Sequence, residues 1–293
     1  MMRPSPPAML FMVSDKAGER AFRLIGWLAV MLPLALLLVL LATTVFQGAE
    51  RLSGEFLTGL PSRRAESAGI GPALAGTGML MGLTAILAIP LGVGAALWLE
   101  EYSRPSRLTG FIELTISTLA GVPSIIYALL ALEVFVRVLG MGRSILAGAA
   151  TLALLILPMI IMASREALRT VPRHLREAAF ALGGDRWVTL RTIVLPLALP
   201  GVLTGVILGL ARAIGETAPL ITIGALTYVA FVPDSLSSAF TALPIQIFNW
   251  VSRPQASFHS TAAAAIIVLL AVMLAMNALA IWLRTRLQRR IAG

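Results

Sequence analysis

RHLREAAFALGGDRWVTLRTIVLP, residues 173–196, lies inside a polar segment (165–199) between two apolar runs, each long enough to cross a bilayer. The segment is too polar for hydrocarbon and too short to be a domain. Glu177-Ala178-Ala179 is followed by three residues, then Gly183, then nine residues, then Ile193-Val194-Leu195-Pro196. That order predicts a short helix with small residues on one side and a glycine stop and turn. A second amphipathic stretch with Trp187 follows, and a proline opens the next membrane helix. Small residues let such a helix seat in a partner's groove. An alanine-rich surface helix with no partner is the other reading of the same residues.

Outward from this loop the chain is apolar. Of 293 residues 58% are hydrophobic and 13% charged, where a soluble domain carries roughly a quarter charged. Lipid is therefore the solvent, and the fold class is an all-α integral membrane protein. Six runs reach the roughly 20 residues a membrane helix needs, near 22–46, 71–99, 110–137, 144–164, 200–231 and 260–283. The first is longer than the apolar core of a signal peptide and reads as a retained anchor. This divides the chain into an N-terminal tail (1–21), a first membrane helix with an external loop (22–67), a transmembrane domain (68–288) containing the loop 165–199, and a short tail (289–293).

The net charge of +9 comes almost entirely from arginine, with Lys16 the one lysine. The arginines are scattered in short loops and form no stripe, which argues against a nucleic-acid partner. With the N-terminus inside, cytoplasmic segments hold 16 basic residues and outer segments 6, so both termini are expected in the cytoplasm. Trp27, Trp98 and Trp282 fall near predicted helix ends, where headgroups favour amphipathic rings. Pro33, Pro90 and Pro158 lie inside runs and predict kinks. Gly201, Gly205 and Gly209 recur every four residues, a smooth strip that predicts close packing of this helix inside the bundle. The absence of cysteine excludes disulfides and thiol chemistry.

In the fifth run Arg212 lies about 18 Å into a helix predicted to start near Pro200, close to mid-membrane. A charge there is costly unless paired or wet, so Arg212 is a functional candidate. Glu216 follows four residues on and shares its face. A guanidinium can grip an oxyanion with two parallel hydrogen bonds. Glu216 would hold Arg212 while the path is empty, or accept a proton-bearing oxygen from a protonated phosphate. A structural salt bridge pinning two helices is the competing reading. Gly215 and Pro219 predict local loosening of the helix.

The spacing at 177–196 matches, position by position, the EAA motif of ATP-binding-cassette importer permeases, which the chain resembles. Further stretches resemble the A-type permease subunit of bacterial phosphate importers of this class: 71–78, 90–102, 119–127, 211–220 and 244–254. The run Arg212 to Pro219 and the later Asn249 to Pro254 favour this subunit over its C-type partner and over sulfate or molybdate permeases; a permease for another oxyanion (sulfate, molybdate, phosphonate), or the C-type subunit, is the alternative reading. The resemblance implies a type I importer permease fold in the bacterial inner membrane and a heterodimer with a second permease subunit. It also implies two ATP-binding subunits and an extracytoplasmic phosphate-binding protein. On this reading Arg212, Glu216 and Thr217 line the substrate path, while Glu177, Ala178, Ala179 and Gly183 shape the helix that docks on the ATPase. The chain itself is then no enzyme and holds no cofactor. It has no phosphate-cradling glycine loop ending in Gly-Lys-Ser/Thr, so ATP and Mg²⁺ belong to a partner. The external segment 232–259, with Phe248, Trp250 and Arg253, lies on the membrane surface or touches the binding protein.

An intramembrane enzyme is disfavoured. His174 and His259 fall in loops on opposite predicted sides, and Ser124 has no histidine near enough to activate it. A secondary transporter would use Arg212 and Glu216 without needing the coupling loop.

Overall fold

A computed structural model describes residues 16–225 and 228–292, with side-chain environments for 18–225 and 228–286. Most of the tail 1–21, Leu226 and Thr227 of the fifth run, and the side chains of the tail 289–293 lie outside the described residues. Five described helices are long and apolar enough to span a membrane, six when one sharply bent pair counts as a single span.

The chain divides into two units. The first consists essentially of α1, Lys16–Gly48, a helix apolar all round that runs through Pro33. Its polar start is tied by an Arg23–Glu19 pair at 2.9 Å.

The second unit holds the other helices. A one-turn helix, α2 (Gly54–Thr58), is capped by Ser53, whose hydroxyl accepts from the Phe56 amide. The first long helix, α3 (Gly71–Leu97), continues through Pro90 into a widened turn of π-type bonding at Trp98–Tyr102. The third run is not one straight helix: α4 (Arg107–Ala120) and α5 (Ser124–Ala131, continued to Val138) meet at 107°. Pro123 has no amide hydrogen to donate and its own backbone is extended (φ −56°, ψ 139°), so the run breaks at Gly121–Pro123. The Tyr127 hydroxyl donates across this bend to the Leu119 carbonyl at 2.8 Å.

Next, α6 (Ile145–Arg169) starts at a Ser144 cap and packs on α3 along one side. The EAA loop forms α7 (Arg173–Ala181) and α8 (Arg186–Thr189), and α8 runs on through a second widened turn, Leu190–Val194, into α9 (Leu195–Gly215). Two expectations are corrected here. The fifth span begins at Arg186, with Pro196 inside it, because the wide π turn absorbs the bond that proline cannot make. It also ends at Gly215 and does not continue to 231: Glu216 is extended and a short α10 (Ala218–Thr222) follows.

The glycine strip packs as expected. A Cβ at Gly201 would stand 2.6 Å from the Ala167 methyl, one at Gly205 would collide with the Ala163 methyl, and one at Gly209 would press on Ile160 at 3.0 Å. Thus α9 lies backbone-close on α6. Replacing Gly205 with leucine is expected to cost about 1–3 kcal/mol of overpacking. A lowered unfolding temperature in detergent, with no comparable drop for a leucine at open Gly78, would check this.

The chain closes with α11 (Leu243–Val251) and the long α12 (Ser257–Ala292). Segment 232–259 is not a free surface helix. Trp250 is fully buried between Phe56 and Phe258, and Arg253 stacks on the Phe258 ring at 4.3 Å. Phe248 alone of the three named residues keeps an exposed apolar face.

Candidate permeation and coupling sites

Arg212 sits in the last turn of α9, where the helix dipole favours a cation. Counted from Arg186 it is about 39 Å along the helix, so it stands at the end of the span opposite the EAA loop and not midway. Glu216 is off the helical face: its backbone is extended (φ −76°, ψ 119°), yet its carboxylate returns to 3.5 Å from Arg212 Nε. The pair therefore ties α9 to its own break and does not join two spans. A guanidinium carries five N–H donors, and among the described residues this long contact is the one that Arg212 makes to a side chain. Its side chain is 39% exposed and that of Glu216 18%.

Thr217 occupies the position before α10, half-buried, and its hydroxyl caps nothing there. The short helix ends in a left-handed Gly224 (φ +88°), with the amides of Gly224 and Ala225 returning to the Ile221 and Leu220 carbonyls. The Arg143 side chain lies over Gly224 so closely that a Cβ there would stand 2.6 Å from its Cδ. Sequence reading did not place Arg143 here. The break also packs on the bend of the third span, since Tyr127, Ala213, Ile214 and Leu220 share one buried cluster and α10 lies against α5. Two interrupted helices thus meet, an arrangement that inside a membrane is tolerated where backbone is buried in protein or lines a cavity.

At the other end of α9, the EAA loop has the predicted helix, turn and second helix. The amides of Gly183 and Gly184 return to the carbonyls of Phe180 and Ala179, both at 3.0 Å, with Gly183 left-handed at φ +85°. This is a Schellman closure. Asp185 then caps α8, accepting from the Val188 amide at 2.7 Å. Glu177 and Ala178 are exposed, and Ala179 is buried under the turn. Phe180, Leu182 (90% exposed), Trp187 and Val188 present apolar surface outward, an arrangement that soluble surfaces avoid and interfaces use.

Behind this loop is a set of ion pairs that the sequence reading missed. Arg176 donates to Glu101 at 2.8 Å, Arg169 to Glu100 at 3.1 Å and Arg165 to Glu113 at 2.6 Å, with Arg165 Nε 3.6 Å from Glu100. The partners are 52 to 75 residues apart in sequence. The available signal was Glu100-Glu101 closing one apolar run and Arg165 and Arg169, one turn apart, closing another.

Membrane-length helices, one of them broken and charge-bearing with an exposed apolar loop at its other end, define a multi-span membrane protein. Comparison with known proteins makes the class specific. Residues 88–293 match the family described as "binding-protein-dependent transport system inner membrane component". The chain is 38% identical over 224 residues to phosphate transport system permease protein PstA 1 of Mycobacterium tuberculosis, covering 76% of this chain and 72% of that one. It is 33% identical to PstA of Yersinia pestis, over 83% and 82% of the two chains. It is 31% identical to the probable ABC transporter permease protein YqgI of Bacillus subtilis, over 88% and 92%.

Among solved structures, a bacterial alginate ABC transporter superposes with a TM-score of 0.64 at 14% identity, covering 93% and 94% of the chains. The methionine transporter MetNI superposes at 0.54 and 19% identity, over 76% and 94%. These establish the ABC importer permease fold. The chain belongs to the inner-membrane permeases of binding-protein-dependent transport systems and, within them, to the PstA phosphate permeases. It is a multi-pass inner-membrane protein and a permease subunit, not an enzyme.

Proposed function

We propose that this chain forms one half of the membrane path of an ATP-driven importer of inorganic phosphate. The observation that carries the reading is an arginine at a helix break whose one side-chain contact among the described residues is a long approach to a single carboxylate, in a chain related to phosphate permeases. Inside a path, a phosphate would take two parallel hydrogen bonds from Arg212 and displace Glu216 from its long contact. Glu216 would then be free to accept a hydrogen bond from the protonated oxygen of a hydrogen phosphate, an interaction that fully ionised sulfate cannot offer. Thr217, next after Glu216 in the chain and with its hydroxyl not engaged in capping, would offer a further hydrogen bond to the anion.

The second half of the path would come from a related permease subunit. Two ATP-binding subunits, which would hold ATP and Mg²⁺, would dock where Phe180, Leu182 and Trp187 face outward around Glu177, Ala178, Ala179 and Gly183. A phosphate-binding protein would deliver substrate from the opposite side. This orientation puts both termini and the loop 165–199 in the cytoplasm, in keeping with the arginine bias, and makes 68–288 the transport domain proper.

Proteoliposomes containing the assembled complex test the proposal. With ATP inside and the binding protein outside, labelled phosphate is expected to accumulate, and excess sulfate to leave the rate unchanged. Accumulation of sulfate in place of phosphate would move the assignment to another oxyanion. Uptake without ATP would move it to a secondary transporter.

A further inference from the structure

The EAA helix α7 has little apolar grip on the bundle. Ala179 is its one buried side chain, and its backbone packs on α8 and the Leu190–Val194 turn, which lead into α9. Its reach to the rest of the bundle runs through Arg176. One residue before exposed Glu177, and so about 100° around the helix, Arg176 points inward. Its Nη2 donates to Glu101 Oε1 at 2.8 Å and to the Leu168 carbonyl at 2.9 Å. Glu101 lies in the widened turn that ends α3, and Leu168 in the last turn of α6. One guanidinium therefore joins three elements. The neighbouring Glu100 receives Arg169 and lies near Arg165, which in turn holds Glu113 on α4.

The placement is costly for a simple fastener. The Arg176 and Glu101 side chains are 20% and 18% exposed, Glu100 is 18% and Arg165 10%. Partly buried ion pairs rarely add net stability over apolar packing, and their best-attested use is to fix register or a switch. A long, directional pair at the root of α7 does that: it makes α7 and the end of α3 move together, although their backbones are not packed on each other as α7 and α8 are.

We propose that Arg176 and Glu101 form the joint that passes movement of the EAA loop to α3, with Arg165 linking Glu100 and Glu113 to pass it on to α4. They are positioning residues. Without the joint, a push on α7 enters the bundle through α9 and its packing on α6, and the ends of α3 and α4 lose their direct tie to the loop. The proposal rests on the reading of residues 173–192 as the ATPase contact.

The test uses the assembled complex. Copurification of the ATPase with the unmodified chain is measured first; its failure would overturn the loop reading and this joint with it. Phosphate transported per ATP hydrolysed is then measured for Arg176→Glu, Glu101→Arg and the charge-swapped double variant. Each single reversal is expected to lower the ratio by about tenfold, within the usual range for coupling between sites. The double variant is expected to recover most of it, as a direct pair does in a double-mutant cycle. A bridge that served folding alone would reduce the amount of complex and leave the ratio unchanged. Glu101→Gln, nearly isosteric, is the variant to read if the reversals fail to insert, with a several-fold fall expected. A wild-type ratio in Glu101→Gln and the single reversals, or a double variant as impaired as either single, would overturn the proposal.

Discussion

Phosphate uptake by the complex carrying Arg212→Ala is expected to fall by about a hundredfold, with the complex still assembled. Removing one partner of a partly buried, hydrogen-bonded charge pair costs about 2–5 kcal/mol in binding systems, and roughly 3 kcal/mol corresponds to that factor. Part of the loss would be the Glu216 carboxylate left without its cation. The companion Glu216→Gln keeps the volume and removes the charge. It should impair uptake less, because the Arg212 donors then remain free for the anion. Arg212→Lys is expected to fall between wild type and alanine, since an ammonium offers charge without the planar fork. Initial rates of labelled phosphate uptake check all three. Normal uptake in both Arg212→Ala and Glu216→Gln would remove the pair from the path and leave it as the tie between α9 and its break.

The second large effect is expected at Gly183, and its cause is backbone conformation. At φ +85° the residue is left-handed, and a Cβ built on it meets nothing within 4 Å. Crowding is therefore not the issue. A β-branched residue in this region costs at least about 1–2 kcal/mol, which alone depletes the native turn by roughly five- to thirtyfold. Asparagine tolerates the conformation. Gly183→Val is thus expected to uncouple ATP hydrolysis from uptake by about tenfold, while Gly183→Asn, which is larger than alanine, stays near wild type. Equal behaviour of valine and asparagine would show that the left-handed turn does not set the loop's working shape.

The parts of this molecule that composition and spacing report were legible before any coordinates. Six apolar runs, the turn at Gly183 and the seam at Gly201, Gly205 and Gly209 follow from which residue types lipid, left-handed backbone and close packing accept. Hydrogen-bond geometry is what composition hides. Residues 200–231 read as one run because Ala218 to Leu226 is as apolar as what precedes Arg212, yet the helix stops at Gly215. The bend at 121–123 had its proline signal, but an apolar run containing a proline reads equally well as a kinked span, as it does at Pro90 and Pro158. The start of the fifth span was placed late because Arg186 and Arg191 look like loop residues, although each sits on a helical turn. The Arg176–Glu101 joint was out of reach of local reasoning, being a contact between an arginine and a glutamate 75 positions apart.

The seam between α6 and α9 has a consequence for inheritance. At the contact of Gly205 with Ala163 the two backbones leave room for one methyl group. Which helix supplies it is immaterial to the packing. The two positions therefore behave as a single heritable site: Gly205→Ala is tolerable in company with Ala163→Gly and harmful alone. Gly201 and Ala167 obey the same constraint one turn away. Across descendants of this chain, small residues along the seam should trade places between helices and rarely grow on either.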